Sequence, residues 1–69
     1  GYKRRRDARL RETALAAAAR VRKNGVPVEL EPMTAAERRV VHMALAEEAG
    51  ATTESTGEGA ERRVVVKPA

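Results

Sequence analysis

The chain has 69 residues, a formal net charge of +4 and no cysteine, which excludes disulfides and thiolate metal sites. Fourteen of its apolar residues are alanine, and four Leu, eight Val, two Met and one Tyr remain as large apolar side chains. A chain this short buries only about 60% of its unfolded surface, so one thin core is affordable and an enclosed substrate cavity is not.

No apolar run approaches the ~18 residues of a membrane span, and no secretory signal is visible. With cysteine absent, a reducing, cytoplasmic setting is expected. The chain opens on Gly rather than Met, so an excised domain of a longer protein is expected. The charge is uneven: residues 1–25 carry nine Lys/Arg against two acids, and residues 26–69 carry five against eight, so +7 and −3 give the net +4. Such asymmetry points to an anionic partner, nucleic acid first and an acidic protein or anionic lipid after it.

In chain order, Gly1 to Asn24 reads as a long helix, with Leu10, Ala14, Ala17, Ala18 and Val21 at helical spacing and Asn24-Gly25 as its stop. Residues 1–6 have little to bury and are expected to fray. A membrane-surface helix would want bulky Trp, Phe or Leu where this stripe offers Ala, so no membrane partner is expected. Val26 to Pro32 alternates, Val26, Val28 and Leu30 against Glu29 and Glu31, and reads as a short edge strand between prolines. Thr34 to Gly50 reads as a second helix. Thr34 and Glu37 form a capping box, Gly50 is the expected stop, and Val40, Val41, Ala44 and Leu45 share the core arc. Ala51 to Thr56 and Arg62 to Lys67 read as strands joined by a glycine-containing turn at 57–61, an antiparallel hairpin. On the last strand Val64 and Val66 are the expected core pair, with Arg62 escaping to solvent at the strand entry and Arg63 and Lys67 on the outer face. The order is helix-strand-helix-strand-strand. It implies an α+β two-layer sandwich, a small three-stranded sheet with two helices on one face, as a single domain over residues 1–69.

Two clusters can bind a ligand. Arg38 and His42 lie four residues apart, one turn over the other on the flank of the second helix, beside Arg39. Arg38 can hold a phosphate bidentately or stack on a base, and its structural alternative is a surface salt bridge to a nearby Glu. His42 can donate to phosphate when protonated or hydrogen-bond a base when neutral, and its structural alternative is a merely packed imidazole. In the Thr53–Gly59 run, the hydroxyls of Thr53 and Ser55 and backbone freed by Gly57 and Gly59 can approach a phosphate, or the glycines simply shape a hairpin. Arg62, Arg63 and Lys67 complete the candidate cations. A lone His without Cys cannot anchor a zinc site, and no cofactor is implied. No nucleophile–base pair, carboxylate pair or P-loop can be assembled, so neither an enzyme nor a small-molecule substrate is expected. Phe and Trp are absent, so weak, sequence-tolerant and salt-sensitive binding is expected.

With these residues laid out, the chain resembles the R-three-H domain, named for an Arg and a His separated by three residues. The resemblance rests on Arg38-Arg39-Val40-Val41-His42 and on the Thr53 to Val66 run downstream. It is more similar still to the C-terminal R-three-H domain of bacterial Jag, or SpoIIIJ-associated, proteins, whose stretch Glu-Pro-Met-(Ser/Thr)-x-x-Glu-Arg-Arg is matched from Glu31 through Arg39. The resemblance covers residues 2–68. It implies binding of single-stranded RNA or DNA, a KH RNA-binding domain upstream in the parent chain, and a cytoplasmic bacterial protein connected with cell shape, division or sporulation. Functions residing in those upstream domains would lie outside this chain. The alternative is a protein-docking module that uses the basic first helix, Arg4, Arg5 and Arg6 above all, with Arg38 and His42 structural.

Overall fold

A stripe of alanines lets a helix approach its neighbours closely, and the first helix does so along most of its length. The computed structural model describes residues 2–69, with side chains from Arg5 onward. Helix α1 (Tyr2–Asn24) buries Leu10, Ala14, Ala17, Ala18 and Val21, the stripe expected of it. It stops at Gly25, whose φ of 70° is left-handed and whose amide donates to the Val21 carbonyl at 2.7 Å. The expected fraying of residues 1–6 lies, for Gly1 and the side chains of Tyr2, Lys3 and Arg4, outside the described residues, as does the docking role assigned to Arg4. Arg6 is tied down, its Nε donating to Glu37 Oε2 at 2.8 Å.

Strand β1 (Val28–Glu29) is shorter than the expected 26–32. Pro27 and Pro32 bracket it without amide donors, and beyond Glu29 the chain follows the sheet through isolated bonds, Leu30 N to Val64 O at 2.9 Å and Met33 N to Arg62 O at 3.1 Å. Val26, expected inward, precedes the paired segment and is exposed.

Helix α2 (Ala35–Leu45) starts where its capping box predicts. The Glu37 amide donates to Thr34 Oγ1 at 3.2 Å, and the Thr34 amide donates to Glu37 Oε1 at 3.0 Å. It ends four residues before the expected position. Ala46 and Glu48 donate to Met43 and Leu45, three residues back, and turn the chain so that Ala51 can enter the sheet buried. Arg22 of α1 holds that turn by donating to the Ala49 carbonyl at 3.3 Å. Gly50, expected to cap the helix, instead leads into the next strand. Val41 and Leu45 are buried, and Val40 and Ala44 pack half-buried beside them.

Strands β2 (Ala51–Thr56) and β3 (Arg63–Pro68) form an antiparallel hairpin, Thr53 opposite Val66 and Ser55 opposite Val64, through a 3-10 turn at Gly59–Glu61. The sheet order is β1-β3-β2, antiparallel throughout. Val64 and Val66 are fully buried beneath both helices, as the alternation of β3 requires. The architecture is the expected α+β sandwich with β1 and β2 at the sheet edges.

Glu37 joins the α2 cap to α1. Its carboxyl is held below the usual carboxylate range, first by the hydrogen bond from Arg6 and then by the Thr34 amide. A depressed carboxylate contributes stability that is present above its unfolded value and lost as pH falls through its folded value. Thermal melts are therefore expected to lose stability progressively below about pH 4.5, the ordinary glutamate value. Glu37→Gln keeps a capping amide but not the ion pair. It should cost about 0.5–1 kcal/mol at neutral pH and flatten the acid limb; equally steep acid limbs in both chains would contradict this linkage.

Candidate nucleic-acid interface

Helical spacing turns Arg38 and His42 toward β2 rather than into the core. Arg38 sits over the loop that precedes its own helix, and its Nη1 donates to the Met33 carbonyl at 2.7 Å. That bond stands where a salt bridge to a neighbouring Glu was the structural alternative. It fixes the side-chain stem and uses one of the five guanidinium N–H donors.

The His42 ring lies between two hydroxyls of β2, Nδ1 2.6 Å from Thr53 Oγ1 and Nε2 3.0 Å from Ser55 Oγ. Thr53 and Ser55 are two apart and share the helix-facing side of the strand, so a single imidazole meets both. A neutral imidazole has one donor and one acceptor nitrogen, so one hydroxyl gives it a proton and the other receives one. When Nε2 carries the proton, Ser55 accepts from the ring and its own O–H is left to donate outward. With the other tautomer, Ser55 donates to the ring and presents only lone pairs. The tautomer of a neutral His42 thus sets whether the Ser55 O–H points to the ring or away from it.

Arg62 reaches the same place from the residue just before β3, in the alternation that it shares with Val64 and Val66. Its Nη1 donates to the Gly57 carbonyl at 2.9 Å. Gly57 is required there, because at φ 88° a Cβ would stand 2.7 Å from the Glu61 carbonyl oxygen. Gly57 thus shapes the loop that seats Arg62, and Gly59 lies beside Arg38 in the adjoining hollow. The amides of Glu61 and Arg62 are taken up inside the turn by Glu58 and Gly59.

Arg38, Arg39, His42, Ser55 and Arg62 line one shallow depression with Ala35, Ala36 and Met43, and no carboxylate is among them. Arg39 is exposed on its rim. Arg63 and Lys67 are not brought to it. They occupy the opposite face of the sheet, Arg63 ion-paired with Glu61 at 3.1 Å and Glu29 at 3.6 Å, and Lys67 with Glu54. The Lys67 hydrogen bond and charge lower the Glu54 carboxyl below its ordinary value. Met43, 65% exposed, carries no polar signal for a ligand contact in the sequence, although its place four residues after Arg39, away from Val41 and Leu45, marks it as outward. Among the described residues no cluster of three or more His, Asp or Glu can hold a metal ion, and no helix is long and apolar enough to cross a membrane.

A thin two-layer sandwich with an open cationic depression has the form of a small binding module. The family model of the R-three-H domain matches residues 8–68, from the first half of α1 to the end of β3, and the chain belongs to that family of single-stranded nucleic-acid-binding modules. No curated relative matches the chain.

Proposed function

We propose that the chain binds single-stranded RNA across the flank of α2 and the edge of β2. Arg38, Arg39 and Arg62 take phosphates, and the His42–Ser55 pair meets a base edge or a ribose 2′-hydroxyl. The observation that carries this reading is the segregation of charge. Three guanidinium groups converge at the depression without a carboxylate, while Arg63 and Lys67 on the other face are committed to Glu29, Glu61 and Glu54. With no Phe or Trp in the chain, stacking falls to guanidinium planes and to Met43, so binding is weak, tolerant of sequence and steeply salt-dependent. The stretch from Glu31 through Arg39 supports placing the domain in a cytoplasmic, Jag-like bacterial protein, where a linked KH domain raises affinity through effective concentration.

Arg62 and Arg63 are neighbours of equal charge on opposite faces, which makes them a matched test. With fluorescein-labelled hexauridylate followed by anisotropy, Arg62→Gln should weaken binding about three- to tenfold and reduce the salt slope by about 0.7. Arg63→Gln should change affinity less than about twofold. The reverse ranking, or equal effects, would contradict the assigned face.

A further inference from the structure

Beyond Arg39 and Met43, on the side away from His42, a second depression opens between α1 and α2, lined by Arg11, Ala36, Arg39, Val40, Met43 and Ala44. Arg39 and Met43 border both depressions. Four residues apart, they form a ridge about one helical turn long between them. The floor of the second depression is Val40 and Ala44, half-buried side chains packed on the core. Its outer cation is Arg11. That residue is exposed and forms no ion pair among the described residues, although Asp7 lies one turn before it and Glu12 beside it. On the same helix, Arg6 and Arg22 are engaged with Glu37 and Glu48. An apolar floor with a guanidinium at either end and no carboxylate in its lining suits a base together with the phosphates on its two sides.

We propose that a single strand lying in the Arg38–His42 depression continues over the ridge into this second one, so that the domain holds at least two consecutive nucleotides. Arg39 takes the phosphate between them and Arg11 the next. The second base lies on Val40 and Ala44 with the Met43 thioether against its face, a contact that a polarizable, flexible side chain makes well with a π-system. The proposal rests on the reading of the Arg38 site, and the experiment separates the two.

Hexauridylate affinities would be compared by anisotropy for the native chain, Arg11→Gln, Arg20→Gln, Met43→Ala and Arg38→Ala, each checked for helicity by circular dichroism. Arg20 lies on α1 but lines a different groove, toward β1, so Arg20→Gln is the matched charge control. Glutamine is close to arginine in helix propensity, so both chains stay folded. Arg11→Gln is expected to weaken binding about three- to tenfold and lower the salt slope by about 0.7. Met43→Ala should weaken it by about threefold or more at an unchanged slope, and Arg20→Gln by less than about twofold. Equal losses in Arg11→Gln and Arg20→Gln would reduce the effect to diffuse attraction and overturn the second position. Displacement of the RNA by hexaglutamate as readily as by unlabelled hexauridylate would assign the depression to an acidic protein segment and overturn it too. A loss in Arg38→Ala with none in Arg11→Gln removes this proposal alone, whereas no loss in Arg38→Ala removes the reading beneath it.

Discussion

Replacing Arg38 and His42 together by alanine is expected to leave a folded chain that retains hexauridylate at least about a hundredfold more weakly, in anisotropy titrations at low salt. In the proposed complex each residue supplies one arm of the contact. Arg38 brings a charge-assisted fork to phosphate, worth about 1.5–3 kcal/mol per such bond. His42 orients the Ser55 hydroxyl, and without the ring that hydroxyl rotates freely. The structural cost is the lost bond from Arg38 to the Met33 carbonyl, about 1–2 kcal/mol, and a smaller loss at the half-buried His42 ring, whose partners Thr53 and Ser55 stay accessible to water. Arg38→Lys separates charge from geometry, because an ammonium keeps the attraction and loses the bidentate fork, so its affinity should fall between those of the native and alanine chains. A folded double variant that binds as tightly as the native chain would remove the pair from the interface.

Leu45→Ala is expected to lower the melting temperature by about 10 °C or more, at constant pH. Leu45 is the last residue of α2, 3% exposed, one turn beyond the fully buried Val41. Truncating a buried leucine costs about 2–5 kcal/mol, and a domain of this size has roughly 3–10 kcal/mol in all. At about 4–8 °C per kcal/mol for small domains, the shift is large enough to threaten folding at physiological temperature. Met43→Ala, two residues earlier on the exposed ridge, removes little buried surface and should shift the melt by only a degree or two. A Leu45→Ala chain melting within about 3 °C of the native one would mean that the core does not depend on α2 as described.

Elements with strong local signals are legible in the amino-acid sequence alone. The Ala stripe from Leu10 to Val21 predicts its buried face, the Thr34–Glu37 box predicts the start of α2, and the alternation of β3 points Val64 and Val66 inward. The places where the sequence misleads are set by tertiary demands. Gly50 looks like a helix stop, yet α2 ends at Leu45 because Ala51 must reach the sheet and Arg22 captures the Ala49 carbonyl on the way. Val26 fits the alternation of β1 but lies outside the paired segment, beyond Pro27.

For the site, the helical spacing of Arg38 and His42 and the period-two spacing of Thr53 and Ser55 are both visible in the sequence, but the approach of the two elements is not. That approach depends on how α2 lies on the sheet. Arg63 and Lys67 look like interface cations in sequence. Only the strand register, which puts Glu29 and Glu54 both opposite Val65 on the outer face, shows that they are paired away from the site. Met43 is hard to single out because methionine reads as core material in so apolar-poor a chain. Its place on the helix is the available signal.

The most direct test is a titration of the nitrogen-15-labelled native chain with hexauridylate, followed by amide shifts, beside the same titration with an RNA duplex of equal length. The shifts are expected to centre on Arg38, His42, Thr53 and Ser55 for the single strand, with Glu29 and Arg63 unmoved and only small, diffuse changes for the duplex. Shifts centred on the outer sheet face, on the α1 groove around Arg9 and Arg20, or equal for duplex and single strand would contradict the account.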